Sequence, residues 1–506
     1  MPPETSWFRS VISDAPEELA RYDAEIERLQ KILDKLAAER ARLESYGDQC
    51  RAIFAPVRRL PTEMLVEIFD MCAPPNTELL LEDDTPSGEL GRLAKQHLFH
   101  LSQVCARWHD VAMGTPRLWS TIVAAVPLWH GTAAGRLLDR LQYSLAQGGA
   151  HPLSVHVAVD RDANEIPVLS SLEKYAHRWR ELYLWISLES FQFLTGAKGN
   201  LPLLEVLYIA VQGDRAFDVD IFEVAQRLQF VTFTGKASRI PKFPWAQIEE
   251  FRYRYVLDEP ADLFNALNLM ANMSPDTVFS FNMNLSHIEL PVGLPTIVSN
   301  VTYLTVLLIV SPDRNQATEV LGEIFQALTL PQLKQLDFQR DWNDPPPFWH
   351  QAQFLAFAAR SALHGTLIEL EIHVPIADEE LLDCLEVLPL LTDLIISDYG
   401  GERILITDNL LRRLTRKADD TAPLVPALQF FCMTALFRFT DDVYWDFLIS
   451  RLPPEKTDEP FQARVWWLSG HEREFGPEMC ERIAGLVEGG VLGFETGQDP
   501  SEPVVI

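Results

Sequence analysis

The N-terminal region repeats apolar side chains at alternating intervals of three and four residues. The series is Leu19, Tyr22, Ile26, Leu29, Leu33, Leu36 and Leu43, with Arg40 in one position of the seam. This spacing predicts an amphipathic helix over residues 15–50, after a disordered tail at residues 1–14. Two roles for the apolar stripe stay open. The helix forms a homodimeric coiled coil through residues 19–43, or it packs onto the helices that follow in the same chain.

Two shorter helical patterns follow, separated by an acidic, proline-containing segment at residues 73–97. Pro61 suits the first position of the first helix, and Gly114 with Pro116 ends the second. The apolar positions of this region are Leu60, Pro61, Leu65, Ile68, Phe69, Leu101, Val104, Cys105, Trp108, Leu118 and Trp119. Their helical spacing predicts that they share one side of a small helical domain over residues 57–120.

This ordered set of residues resembles the F-box family. The family pattern of LP-x-E-x-L-x-x-I-F, then L-S-x-V-C-x-x-W-x-x-V-A, then P-x-L-W is met almost position by position. The resemblance implies an all-α F-box in which these apolar residues form or support a surface for a Skp-type adaptor and, through it, a cullin. The segment at residues 73–97 departs from the family by lengthening the join between the two halves, and adaptor docking would fail there first.

From about residue 179 a second pattern recurs, in which apolar residues stand at positions one, four and six of a short segment. The second apolar residue of successive copies falls at Leu182, Leu207, Val231, Phe251, Leu304, Leu336, Leu370, Leu394 and Phe431, with a poor copy at Phe279 and Phe281. Copies about 20 to 37 residues apart, with helical stretches between them, predict one strand and one helix in each unit.

The predicted fold class is therefore α/β: a leucine-rich repeat-like solenoid, or horseshoe, preceded by the all-α F-box and the N-terminal amphipathic helix. The solenoid with its C-terminal cap is expected at residues 179–495, a connecting or first capping segment at 121–178, and a flexible tail at 496–506. An ordinary α/β sheet domain stays open as the alternative, because the copies lack the Asn or Cys of the most regular repeats. With this architecture the chain resembles the expanded F-box proteins of mushroom-forming fungi.

The residues that alternate with the apolar ones project from the predicted sheet and are candidates for binding a protein target. They include Tyr183, Trp185, Tyr208, Arg252, Arg254, Tyr303, Glu369, Glu371 and His373. A loop at residues 341–349 adds Trp342, Phe348 and Trp349 to these candidates, since three prolines stiffen it. The alternative for this loop is that its aromatic residues fold under the sheet and cap it.

The composition of the chain disfavours several classes of binding partner. A formal net charge of −29 over 506 residues disfavours nucleic acid and anionic lipid, which need clustered Lys and Arg. Six scattered Cys without a CxxC spacing suggest neither a zinc knuckle nor disulfides, and no apolar run is long enough to span a membrane. We expect a cytoplasmic or nuclear protein.

No sequence motif predicts an enzyme, a cofactor or a metal centre. Glu369, Glu371 and His373 are the best metal candidates, but alternate residues of one strand stand about 7 Å apart, which is wide for three ligands of one ion. We expect no metal. The predicted function is the substrate-recognition subunit of an SCF-type ubiquitin ligase. A protein-interaction scaffold without a ligase and an enzyme with a loop-built cleft are the alternatives.

Overall fold

A computed structural model describes most of the chain. The described residues are 4–54, 56–72, 98–126, 132–159, 166–212, 218–236, 239–256, 260–284, 293–309, 314–340, 347–398, 405–417, 423–435, 438–453, 459–467 and 475–498. Residues up to 72 and from 98 to 115 belong to one compact unit, and the described residues from 116 onward belong to a second. Within these ranges, no helix combines the length and apolar character that crossing a bilayer requires.

The first unit is helical. It comprises α1 (Glu4–Ile53), a 3-10 turn (Pro56–Arg59), α2 (Thr62–Met71), a helical segment at residues 98–102 and α3 (Ala106–Gly114). Helix α1 begins earlier than predicted, because residues 4–14, which were expected to form a disordered tail, are helical. Extending an existing helix fixes only one residue for each new hydrogen bond, so residues 4–14 join the helix.

The second unit is built on a 14-stranded sheet in which every strand pairs in parallel with its neighbour along the chain, so the predicted α/β class is confirmed. Its strands are β1 (Thr121–Val126), β2 (Leu153–Val159), β3 (Trp179–Ser187), β4 (Val206–Gln212), β5 (Phe230–Thr234), β6 (Glu250–Val256), β7 (Val278–Asn284), β9 (Tyr303–Ile309), β11 (Gln335–Arg340), β12 (Glu369–Ile372), β13 (Asp393–Asp398), β14 (Phe430–Ala435), β15 (Phe461–Trp467) and β16 (Leu492–Gln498). Two short strands, β8 (Ile297–Val298) and β10 (Leu328–Thr329), form a separate pair.

Helices connect many of the strands. They are α4 (Thr132–Gln147), α5 (Ile166–Glu173), α6 (Pro260–Asn268), α7 (Arg314–Ala327), α8 (Gln351–Arg360), α9 (Asp378–Glu386), α10 (Asp408–Leu414), α11 (Asp441–Arg451) and α12 (Pro477–Glu488). The sheet also extends beyond its predicted limits. Strands β1 and β2 lie in the segment expected to connect or cap, and β16 continues to Gln498 in the expected tail.

The core follows from the period of two along each strand. The second apolar residues of the predicted copies, together with Phe279, form one row across ten neighbouring strands. Each is buried: Leu182, Leu207, Val231, Phe251, Phe279, Leu304, Leu336, Leu370, Leu394 and Phe431. Apolar residues of the helices join this row in one continuous core. Burying each such side chain contributes about 1.5–3 kcal/mol, which is why the repeated pattern fixes the sheet.

Three arginines donate hydrogen bonds to the C-terminal ends of earlier helices. Arg178 donates to Leu145 O at the end of α4, Arg360 to Phe325 O at the end of α7, and Arg451 to Leu414 O at the end of α10. The last carbonyl groups of a helix lack intrahelical partners, so an arginine from a later element satisfies them. Burial lowers the pKa of Arg451 to about 9.

Candidate functional site

The first candidate site is the helical pair α2 and α3. Leu65 and Phe69 of α2 are buried, and Phe69 meets the Trp108 ring of α3 edge to face with centroids 5.0 Å apart. The Arg107 guanidinium donates to Arg58 O at 2.5 Å and also to Leu60 O. These bonds fasten α3 to the turn that precedes α2. The role of Arg107 was not predicted, because nothing local in the sequence pairs it with a turn 47 residues earlier.

Apolar side chains remain exposed beside this packed pair. Met64, Ile68 and Met71 of α2 are 50%, 36% and 83% exposed, and Val104, just before α3, is 60% exposed. Met64, Ile68 and Met71 follow the spacing of one helix face, so their pattern carried a signal that our prediction missed for the two methionines. Solvent-exposed apolar residues on one helix face are typical of a protein-binding surface.

The predicted adaptor residues occupy three kinds of position. Pro61, Ile68 and Val104 are exposed, Leu65 and Phe69 are buried, and Leu60, Leu101, Cys105 and Trp108 lie between these extremes. Leu118 and Trp119 belong instead to the second unit, where they are buried and Trp119 contacts Tyr143 edge to face. Buried residues support a surface without touching a partner. The segment at residues 73–97 lies outside the described residues.

The second candidate site is the face of the sheet opposite the core, here called the polar face. One row of it runs through residues paired in register: His156, Tyr183, Tyr208, Thr232, Arg252, Ser280, Thr305, Asp337, Glu371, Ile395 and Cys432. This row changes from aromatic to basic to acidic along the sheet. Because the strands follow chain order, the order of the repeats in the sequence sets the order of aromatic, basic and acidic side chains along the polar face.

The aromatic part of the polar face is packed and largely covered. The His156 ring stacks on Tyr183 with centroids 4.2 Å apart, and Tyr183 stacks on Tyr208 at 6.2 Å. Burial lowers the pKa of His156 to about 4, so the ring is neutral near pH 7. Tyr208 is buried, whereas Tyr183 and Trp185 are half-buried.

The basic part follows on β6. Arg252 is exposed and pairs with Glu250 on the same strand, while Arg254 is half-buried. Tyr303 on β9, two strands away, is also half-buried. Exposed ion pairs contribute little to stability, so the pair of Arg252 with Glu250 is easily exchanged.

The acidic part lies on β11, β12 and β13. Glu369 stands in register between Gln335 and Asp393, and Glu371 stands opposite Asp337. Burial and the neighbouring Glu371 raise the pKa of Asp337 to about 8, while burial and Asp393 raise the pKa of Glu369. Within the described part of the chain, no Lys or Arg forms an ion pair with these carboxylates.

Three residues of this part converge on one point. One ligand atom each from Asp337, Glu371 and His373 lies within 4.8 Å of the others. The His373 Nε2 atom contacts Glu371 Oε1, and its Nδ1 atom lies 2.7 Å from Ser397 Oγ on β13. Glu369, which the sequence grouped with Glu371 and His373, is not part of the cluster, and its Oε1 accepts from Gln335 Nε2 at 2.9 Å. The cross-strand partner Asp337 takes its place.

The loop that the sequence singled out divides between surface and core. Trp342 lies outside the described residues. Phe348 is half-buried. The Cζ atom of Arg314 lies over the Phe348 ring, 4.7 Å from the ring centroid. Trp349 is buried among Phe325, Phe338 and Phe354 and thus supports the core, contrary to its prediction as a target-binding residue. The alternative, in which the aromatic residue folds under the sheet, holds for Trp349.

Comparison with known families agrees with the helical site. A family model described as F-box-like matches residues 57–125, which include α2, α3 and the anchoring Trp119. The chain therefore contains an F-box-like domain, and the predicted presence of an F-box is confirmed. None of the curated proteins matches the chain.

Proposed function

We propose that this chain is the substrate-recognition subunit of an SCF-type ubiquitin ligase. The observation that carries the proposal is the F-box-like match at residues 57–125 together with the exposed apolar group Met64, Ile68, Met71 and Val104. F-box-like domains serve protein–protein interaction, and the usual partner is a Skp-type adaptor that leads to a cullin. The exposed group is the docking surface, and Leu65, Phe69 and Trp108 hold it in place.

The second unit is the target-binding part in this proposal. Its strands follow one another in chain order and pair in parallel, which supports a leucine-rich repeat-like solenoid. We assign the chain to the expanded F-box type of mushroom-forming fungi on the resemblance of its layout alone. Its polar face offers aromatic residues, arginines and carboxylates on a rigid sheet, the residue types that protein interfaces use. Holding a target near the ubiquitin donor raises its effective concentration, and the ligase partners modify its lysines in the cytoplasm or nucleus.

Co-expression with a Skp-type adaptor and a cullin tests this proposal. We expect the full chain to recover both proteins in a stoichiometric complex, and a chain without residues 60–115, which keeps every described residue of the second unit, to recover neither. Proximity labelling with the same two chains would then report the target, which both are expected to label if both fold. Recovery of a target without adaptor or cullin would overturn the ligase proposal and leave the scaffold alternative.

A further inference from the structure

Asp337, Glu371 and His373 combine two neighbouring strands into one cluster of metal-ligating atoms. Alternate residues of one strand stand about 7 Å apart, whereas neighbouring strands are about 4.8 Å apart. Asp337 on β11 is the register partner of Glu371 on β12, and His373 follows Glu371 by two residues. Three ligands from one strand would be too widely spaced for one ion, whereas a third ligand from β11 lies close to the other two. The three ligand atoms lie within 4.8 Å of one another.

The surroundings of the cluster point to a cation. Asp337 is only 4% exposed; its Oδ2 atom accepts from Gln339 Nε2 at 2.7 Å, and its Oδ1 atom has no hydrogen-bond partner among the described residues. A buried carboxylate oxygen without a partner is costly. His373 Nδ1 lies 2.7 Å from Ser397 Oγ, and Nε2 lies against the Glu371 carboxylate. In the tautomer that carries its proton on Nδ1, Nε2 has a lone pair that can ligate a cation. A cation between these groups would satisfy the lone pair and both carboxylates.

We propose that Asp337, Glu371 and His373 bind one Zn²⁺ ion on the polar face. One imidazole and two carboxylates suit zinc, whereas Mg²⁺ and Ca²⁺ prefer oxygen ligands alone. Ser397 orients the imidazole from β13, as hydrogen-bonding partners of metal-bound histidines commonly do. Three protein ligands leave a coordination position for water or for a carboxylate or imidazole of a bound protein. The metal site does not depend on the ligase assignment.

Calorimetric titration of the metal-free full chain with Zn²⁺ alone tests this site. Zn²⁺ also binds other Cys and His side chains, so the comparison between variants shows whether the measured binding occurs at this cluster. Glu371→Gln is expected to weaken the site by about tenfold or more, and Ser397→Ala by about 10–100-fold, the usual cost of losing a partner of a metal ligand. Glu369→Gln is the matched control on the same strand and face, with the same change in charge, and is expected to leave the affinity unchanged.

Two outcomes would overturn the zinc site. The first is the absence of Zn²⁺ binding in the wild-type chain. The second is equal weakening by Glu371→Gln and Glu369→Gln, which would show diffuse attraction to an acidic surface. Mg²⁺ that displaces Zn²⁺ at comparable concentration would contradict the choice of metal. Circular dichroism of each variant shows that the fold is retained, so a loss of binding is assigned to the site.

A separate observation concerns the partner of helix α1. The seven apolar residues of its stripe, Leu19 to Leu43, are each between 47% and 72% exposed. The residues that flank this stripe, at heptad positions e and g, are Glu18, Asp23, Glu25, Gln30, Ile32, Ala37, Glu39 and Glu44. Five of these are acidic and none is basic. The basic residues Arg21, Arg28, Lys31, Lys35 and Arg42 lie farther from the stripe.

The charge pattern disfavours a second copy of the chain. In a parallel pair, Glu18 would face Asp23 of the other helix, Glu39 would face Glu44, and two Arg40 residues would share one layer of the seam. An antiparallel pair would bring the acidic g positions together. Intrahelical pairs such as Arg28 with Glu25 offset part of this charge, but exposed pairs are weak and exchange readily.

We infer that the α1 stripe binds an amphipathic helix of another protein, with Lys or Arg beside its own apolar seam and an acidic residue opposite Arg40. Such a helix covers the stripe and pairs with its acidic flanks, because residues at e and g set the choice of partner in coiled coils. This partner is independent of the adaptor and of the target on the sheet.

Two synthetic heptad helices test the partner, one with Lys and one with Glu at every e and g position. The full chain is expected to bind the Lys helix about tenfold or more tightly than the Glu helix, with a difference that shrinks as salt rises. Glu25→Lys is expected to weaken binding of the Lys helix, and the control Glu27→Lys, away from the stripe, to leave it unchanged. Equal binding of both helices, or light scattering that shows a homodimer lost on Leu29→Asp, would overturn the inference.

Discussion

The ring of Phe69 on α2 meets the ring of Trp108 on α3 edge to face, with centroids 5.0 Å apart. Phe69 is buried, whereas the preceding residue, Ile68, is exposed. Two consecutive residues of one helix therefore differ in role, since Phe69 holds the helices together and Ile68 stays exposed, where the proposed adaptor would bind. The proposed adaptor surface depends on both.

We predict that Phe69→Ala destabilises the first unit by about 3–5 kcal/mol, the usual cost of removing a buried aromatic ring. Ile68→Glu places a charge on an exposed position and is expected to change the free energy of unfolding by less than about 1 kcal/mol. Chemical denaturation followed by tryptophan fluorescence measures both changes. Similar destabilisation by the two variants would contradict the division between packing and binding.

Arg451 gives a prediction for the second unit. Its guanidinium donates to the carbonyl groups of Leu414, Leu424 and Val425. Arg451→Met leaves these acceptors unsatisfied and is expected to lower the free energy of unfolding by about 2–4 kcal/mol. Arg412→Met, which removes an exposed pair with Asp408, serves as the control and is expected to cost less than about 1 kcal/mol. Denaturation by urea measures both, and equal costs would contradict the capping role of Arg451.

His156 predicts a pH dependence of stability. Burial holds its pKa at about 4 in the folded chain, below the ordinary 6.5. Between pH 6.5 and pH 4 the unfolded chain binds a proton that the folded chain does not bind, so stability falls as the pH falls through this window. The loss from pH 7 to pH 5 is about 2 kcal/mol for this residue alone.

The variant His156→Phe isolates this contribution, since it keeps a ring against Tyr183 and removes the titrating group. Its free energy of unfolding is expected to fall less than that of the wild type between pH 7 and pH 5. The exposed His177 provides the control, and His177→Phe is expected to follow the wild-type curve. Parallel curves for wild type and His156→Phe would show that His156 is not buried in its neutral form.

The stability of a Trp349 variant distinguishes the two interpretations of the loop at residues 341–349. It lies among Phe325, Phe338 and Phe354, so Trp349→Ala is expected to destabilise the second unit by about 3–5 kcal/mol. Phe348 is half-buried beneath Arg314, and Phe348→Ala is expected to cost less. Thermal unfolding compares the two variants. A stable Trp349→Ala chain would favour the exposed loop that the sequence suggested.

The period-two pattern made most of the sheet predictable. Leu336, Leu370 and Leu394 occupy the same position in successive copies of the pattern, and the burial of each stabilises its own strand. The early strands β1 and β2 were not predicted, because their Val- and Ala-rich segments lack the leucine signature. In β2 every residue except Ser154 is buried, so its burial does not alternate as it does in the later strands. A local sequence pattern thus identifies strands that carry the repeated signature and misses strands that lack it.

The sites were harder to predict than the fold. Asp337 and Glu371 are 34 residues apart in the sequence and meet only because two strands pair in one register. Nothing local specifies that register, so the sequence grouped Glu369 with Glu371 and His373. The family pattern likewise grouped Leu118 and Trp119 with the adaptor residues, whereas both are buried in the second unit.

The central claim is that the exposed apolar group beside α2 and α3 binds a Skp-type adaptor. The most direct measurement is the affinity of the purified full chain for the purified adaptor, compared with two valine variants. Val104 and Val298 are both 60% exposed, so Val104→Glu and Val298→Glu make the same change at equal exposure. We predict that the wild type and Val298→Glu bind equally and that Val104→Glu binds about 30-fold or more weakly. No binding by the wild type, or equal binding by all three chains, would contradict the account.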